Sequence, residues 1–276
     1  VNTVLTDYHV HVERGKFQLD WLQKFIDKAK QEGITDLGIS EHAYRFKETK
    51  DILYNPWVAK RQTESIEEYL DMLFTARENG IAIKVGIEMD YIPGKEENIH
   101  NFLSKYPWDY VIGSIHWIDQ WGFDLTEMKE EWNNRNVTDV YETYYKTLKQ
   151  LADSKLFDIV GHFDVIKIFG HVPEMKDELF QTIDDVIDSI AKNNLVVEVS
   201  TAGLRKPVKE LYPKPEMLRK FYEKDIPICI SSDAHTPEDV GYGYADALPI
   251  ITDAGYDKFA VFSKRSYQLV NIKSVY

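Results

Sequence analysis

The sequence predicts an α/β protein: a closed barrel of parallel strands covered by helices, with a metal site at the carboxyl ends of the strands. Three observations carry this. Helical and strand-like patterns alternate through the 276 residues with no linker, low-complexity tract or internal repeat. An α/β barrel commonly takes about 250 residues, so 1–276 reads as a single domain. The strand-like runs are near-continuously apolar and rich in β-branched residues, as strands buried on both faces must be. The residue at which a run stops is, again and again, His, Asp or Glu. Seven or eight such units favour closure over an open sheet. No glycine-rich phosphate fingerprint follows the first strand, which lowers the dinucleotide-binding alternative.

Taken in order, Val4-Leu5-Thr6 opens as a short strand running into Asp7-Tyr8-His9-Val10-His11. Side chains at i and i+2 share a strand face, so His9 and His11 project together. Leu22, Phe25, Ile26 and Ala29 follow helical spacing and predict a helix from Leu19, closed by Gly33. Ile34–Ser40 is a buried strand leading into Glu41-His42, and the long connection 43–62 predicts a lid or site wall. Ile66, Tyr69, Leu70, Leu73 and Phe74 mark the next helix, ending at Asn79-Gly80. Strand Ala82–Glu88, a helical segment around 96–105, strand Tyr110–His116 and a Trp-rich connection 117–137 follow. Helices over roughly 138–153 and 177–193 lead into strands Phe157–His162 and Leu195–Ser200. Pro227–Asp233 is another strand, and Lys258–Phe262 reads as a final one.

The formal charge of −13 argues against a nucleic-acid backbone as partner, because that contact needs a basic footprint. It suits bound divalent metals or a substrate carrying positive charge. No apolar run approaches the roughly 20 residues of a membrane span, and no signal-peptide pattern opens the chain. The one cysteine, Cys229, lies in the apolar run Ile226–Ile230 and reads as a buried thiol in a reducing compartment. The expected location is therefore the cytoplasm, with neither nucleic acid nor membrane as partner. Oligomeric state is left open.

The strand ends carry His9 and His11, His42, Glu88, His116, His162, Asp233 and His235. All are ligands for hard or borderline metals, and an α/β barrel builds its active site at that end. Six of the eight histidines belong to this set; only His100 and His171 do not.

Together with these residues, the segments Ser40-Glu41-His42, Gly86-Ile87-Glu88, Gly113-Ser114-Ile115-His116, Gly161-His162-Phe163-Asp164 and Ser232-Asp233-Ala234-His235 resemble the polymerase-and-histidinol-phosphatase (PHP) family. Within it they are most similar to the histidinol-phosphate phosphatases, whose phosphate-binding turn resembles Ser200–Lys206. The resemblance implies a distorted (β/α)7 barrel with two or three divalent metals. It implies that His9, His11, Glu88 and Asp233 hold one ion, and that Glu88 bridges to a second held by His116 and His162. A third would use His42 and His235. Relatives complete that site with a later histidine or acid; here Glu13 is the nearest candidate, alternatively a salt-bridging residue. Zinc, iron and manganese all suit such mixed ligands. Glu41, on the opposite strand face from His42, reads as structural.

The implied activity is hydrolysis of histidinol phosphate to histidinol and phosphate, a step of histidine biosynthesis. Arg205 is expected to hold the phosphate, and Asp164, Asp233 and His235 are the candidates for protonating the leaving group. Trp57, Trp117, Trp121, Glu48, Asp119 and Asp124 are candidates for a wall that accepts the cationic end of the substrate. Two other readings compete: a PHP phosphoesterase or nuclease with another substrate, and a non-catalytic metal-binding structural module.

Overall fold

The computed structural model describes residues 2–274 and contains seven βα units. The strands are β1 Thr6–Asp7, β2 Asp36–His42, β3 Lys84–Asp90, β4 Tyr110–Ser114, β5 Ile159–Val160, β6 Val196–Ser200 and β7 Ile228–Ser231. They are parallel and neighbour one another in chain order, a nearly closed barrel. The helices that follow them in turn are α1 Leu19–Gln31, α2 Ile66–Glu78, α3 Glu96–Leu103, α4 Val137–Asp153, α5 Asp177–Lys192, α6 Pro215–Glu223 and α7 Tyr244–Asp253. Among the described residues no helix is long and apolar enough to cross a membrane.

The seam between β1 and β7 is closed by side chains rather than by a full ladder. Thr6 Oγ1 donates to the Ile230 carbonyl at 2.9 Å and accepts from the Ile230 amide at 3.2 Å. Beyond it, Asp7 accepts from the Ser232 amide at 3.0 Å and the Ser232 hydroxyl at 2.5 Å. A Val10–Ala234 bridge then completes the ring at the site end. The barrel is filled at its amino end by Tyr8, Tyr110, Ile112, Ile159, Val196, Cys229 and Phe262. Tyr110 lies across this space, and its hydroxyl donates to the Tyr8 carbonyl at 2.5 Å. A Cβ at Gly38 on β2 or Gly86 on β3 would collide with its ring. Both positions therefore require glycine.

Three expectations about elements need correction. Lys258–Ser263 is a strand, as expected, but it lies outside the barrel. It pairs antiparallel with Ser266–Ile272, which pairs in turn with Thr3–Val4, and this separate three-stranded sheet closes the amino end of the barrel. Lys84 Nζ reaches the Phe262 carbonyl there at 2.6 Å. The opening strand is consequently divided, with Thr3–Val4 in the outer sheet and Thr6–Asp7 in the barrel. The strand expected to reach His162 pairs only at Ile159–Val160, because Gly161 and then His162, at φ +21°, turn the chain out of the ladder. The two long connections carry short elements of their own: 3₁₀ turns and a helix Pro56–Ala59 in the first, a Trp117–Gly122 hairpin and a 3₁₀ run Thr126–Asn134 in the second.

Candidate metal centre

Parallel strands that all end on one rim bring their last side chains to one place. Glu88, fully buried at the end of β3, is the centre of that place. Its Oε2 lies 3.0 Å from His9 Nε2, 3.2 Å from His162 Nε2 and 3.6 Å from His116 Nε2. Its Oε1 lies 2.8 Å from His42 Nδ1 and 3.6 Å from His11 Nε2. Asp233 Oδ1 stands 3.1 Å from His11 Nε2 and 3.3 Å from His9 Nε2. Two imidazole pairs approach through nitrogen: His116 and His162 at 3.1 Å, His42 and His235 at 3.4 Å.

These are the spacings of donors around shared ions. Tetrahedral bonds of about 2.0–2.1 Å place neighbouring donors roughly 3.3–3.4 Å apart. Among the described residues four such groups occur: His9–His11–Glu88, Glu88–His116–His162, His9–His162–Asp233 and His11–His42–His235. His9 Nε2, His11 Nε2, His42 Nδ1, Glu88 Oε1 and Asp233 Oδ1 are buried without a hydrogen-bond partner. Atoms so placed fit divalent metal ions, because burying five polar atoms unsatisfied is otherwise costly. The structure thus places all nine expected ligands in one region, with His11 beside the His42–His235 pair as well as beside His9. Glu13 stands at its edge, Oε1 3.6 Å from His235 Nε2 and Oε2 3.3 Å from Arg45 Nη1.

Carboxylates behind the histidines fix their rings, and these the sequence reading missed or left as structural. Glu198 Oε2 meets His9 Nδ1 at 2.6 Å, while its Oε1 accepts from the His162 amide at 2.9 Å. Asp90 meets His116 Nδ1 at 2.7 Å, and Glu41 meets His11 Nδ1 at 3.2 Å. Ser114 Oγ donates to Glu88 Oε2 at 2.8 Å. Such contacts select the tautomer that leaves the other ring nitrogen free for a metal. A signal existed for Glu198: a lone carboxylate inside the wholly apolar run Val196–Val199 must have a buried partner.

The charges balance as interlocked opposites. Burial alone would raise Glu88 and Asp233, but the surrounding histidines hold both well below the usual carboxylate range. Burial would likewise depress the imidazoles; their carboxylates win, holding His9 well above its ordinary value and His11 and His116 at about 10. His235 goes the other way, to about 3, because burial and the neighbouring His11 outweigh Asp233.

A cleft of about 530 Å³ opens over this cluster, lined by His42, His116, His162, Asp233 and His235 on its floor. Its walls come from the two long connections: Tyr44, Trp57 and Arg61 from one, Trp117, Asp124 and Glu127 from the other. The Trp57 and Trp117 rings lie 5.7 Å apart, and both indole N–H groups are buried and unpartnered, as is Asp124 Oδ1. Three expected wall residues are elsewhere. Trp121 packs on Trp132 and under Arg135, Glu48 accepts from the Ile66 amide, and Asp119 occupies a hairpin turn at φ +55°.

Two further candidates are not on the accessible wall. Asp164 is buried behind the cleft, with Oδ2 on Lys167 Nζ at 2.8 Å. Arg205 Nη2 donates to the Ser232 and Asp233 carbonyls at 2.7 and 3.2 Å, leaving Nη1 buried and unpartnered. The neighbouring Lys206 lines the cleft, as does Arg14 from the segment after the first two histidines, and neither side chain has an ionic partner among the described residues.

Comparison with known proteins agrees with this geometry. A profile of the PHP domain matches residues 7–202. A probable histidinol-phosphatase of Deinococcus radiodurans is 33% identical over 92% of this chain and 95% of that protein. The histidinol-phosphatase of Bacillus subtilis is 27% identical over 82% of this chain and 91% of its own. In structure, the histidinol phosphate phosphatase of Lactococcus lactis, crystallised with zinc, L-histidinol and phosphate, superposes with a TM-score of 0.73 at 21% identity, covering 97% of this chain and 100% of that one.

Proposed function

The chain belongs to the PHP domain family, and on that premise we propose that it is a metal-dependent phosphomonoesterase that hydrolyses L-histidinol phosphate to L-histidinol and phosphate. The observation that carries the reading is the convergence of six histidines, Glu88 and Asp233 beneath a cleft of substrate size, with their unpartnered atoms facing one another. A non-catalytic module has no need of that cleft, and a net charge of −13 disfavours a nuclease.

In this reading two or three divalent ions, zinc, iron or manganese, are held by the strand-end ligands. His9, His11, Glu88 and Asp233 form one site, Glu88, His116 and His162 the second, and His42, His235 and Glu13 the third. Bound there, such ions acidify a coordinated water and neutralise charge on the phosphoryl oxygens. The chain supplies the rest. Glu198, Asp90 and Glu41 hold three imidazoles in the metal-facing tautomer. Lys206, from the cleft wall, grips the phosphate end, while Arg205 sits behind the wall and holds the Ser232 and Asp233 carbonyls. Of the expected proton donors, Asp233 and His235 lie on the cleft floor but are held deprotonated there, and Asp164 is turned away behind the cleft, so a water in the cleft rather than one of these side chains protonates the leaving alkoxide. Asp124 and the Trp57 and Trp117 rings receive the ammonium and imidazole end, where a half-buried carboxylate and aromatic faces favour a cation.

The test is phosphate release by metal-stripped and metal-reloaded protein from histidinol phosphate and from a phosphodiester. Hydrolysis of the monoester only, and only after reloading, is expected. Equal activity of the stripped protein, or turnover of the diester alone, contradicts the proposal.

A further inference from the structure

The turn after β5 separates two cavities. His162, Val165 and Ile168 line the metal cleft, while Asp164 and Lys167 face the other way, into a cavity of about 540 Å³ between α4, α5 and α6. Tyr141, Tyr145, Ile183 and Met217 form its apolar walls, and Phe180 and Val172 stand exposed at its rim.

The polar floor is unbalanced. Lys167 Nζ has three protons and three acceptors: Asp164 Oδ2 at 2.8 Å, Glu210 Oε2 at 2.5 Å and the Leu211 carbonyl at 2.8 Å. Its donors are therefore used up. Asp164 Oδ2 also takes the Lys214 amide at 3.1 Å, but Oδ1 is buried with no partner. Two carboxylates face one ammonium, so the floor keeps a net negative charge and an acceptor that needs a donor. At the rim Lys220 is paired with Asp184 at 3.1 Å, and Lys214 shares the lining with Glu216.

We propose that this cavity is a second ligand site, for a small organic cation: a primary ammonium seated on Asp164 Oδ1, carried by an apolar, ring-sized tail between the tyrosines and Met217. The volume suits a small molecule, and a charge-assisted bond in an apolar surround is the contact that Oδ1 lacks. An occupant would also brace the turn that carries His162, Val165 and Ile168, so binding here bears on the wall of the metal cleft. The proposal does not depend on which phosphate ester the cleft hydrolyses.

The test is calorimetric titration of the metal-loaded full chain with 2-phenylethylammonium, 2-phenylethanol and 3-phenylpropionate. The amine is expected to bind at least about tenfold more tightly than the alcohol, and the acid not at all. Phe180→Lys, which puts a cation at the rim far from the metal ligands, should weaken amine binding by roughly tenfold or more while leaving kcat/KM unchanged. Asp164→Asn should abolish the preference for amine over alcohol; if that variant does not fold, Phe180→Lys still decides. Equal binding of amine and alcohol, or amine binding indifferent to Phe180→Lys, overturns the proposal. So does a solution dimer that Phe180→Lys dissociates, because a second copy would then be the occupant.

Discussion

Among single residues, Glu88 is the one around which the cluster is built. It is within 3.6 Å of five imidazoles, whereas Glu13 is near one and is shared with Arg45. Glu88→Gln is expected to lower kcat by at least about a hundredfold, and Glu13→Gln by less than about tenfold. Metal content and kcat measured on both variants check this; equal losses would remove Glu88 from its bridging place. Metal uptake should also release protons, because His11 and His116 hold theirs up to about pH 10 in the metal-free cluster. Apparent metal affinity should therefore climb between pH 6 and 9 (about one decade per pH unit for each proton displaced), which a competing chelator measures. An affinity flat across that range would contradict the interlocked charges. That these residues would meet was legible in the sequence because a strand places them near its end. Glu198 and Asp90 were harder to find, since which carboxylate backs which histidine depends on strands far apart in sequence.

At the scale of elements, the βα alternation was readable because apolar periodicity distinguishes a buried strand from a one-faced helix. The seven barrel strands and the first five helices follow from it, whereas α6 and α7 were not read. The outer sheet was not readable: Lys258–Ser263 is as apolar as a barrel strand, and only its antiparallel partner Ser266–Ile272, with its mostly exposed side chains, sets it apart. The fit of elements inside the barrel gives a prediction. Gly86→Ala should destabilise the fold by about 1–3 kcal/mol by pushing on Tyr110. Tyr110→Leu should cost stability on its own through the lost bond to Tyr8, yet the double variant should cost less than the two separately. Denaturant unfolding of the four proteins tests it, and strict additivity would mean that the ring and the glycine are not in conflict.

At the scale of the whole molecule, the fold rests on helix–sheet packing, and the cluster neutralises itself when empty of metal. Chelation is therefore expected to abolish activity while far-ultraviolet circular dichroism stays native. Stability of the metal-free protein should then depend on pH with a definite sign. His11 and His116 are raised above their unfolded value of 6.5, so their contribution is complete below about pH 6.5 and is lost as pH rises through about 10. Glu88 and Asp233 are depressed, so theirs is lost on acidification below the ordinary carboxylate range. The metal-free Tm should accordingly fall between pH 6.5 and 10, and a Tm rising over that interval would contradict the assignment.

In the proposed function one cleft joins a phosphate-gripping metal floor to a wall that selects a cation. The most direct measurement is kcat/KM of the metal-loaded protein for histidinol phosphate against a neutral alkyl phosphate of similar size. If Asp124, Trp57 and Trp117 receive the cationic end, histidinol phosphate should be preferred by roughly a hundredfold or more, and Asp124→Asn should erase most of that preference. Comparable values for the two esters would contradict the account.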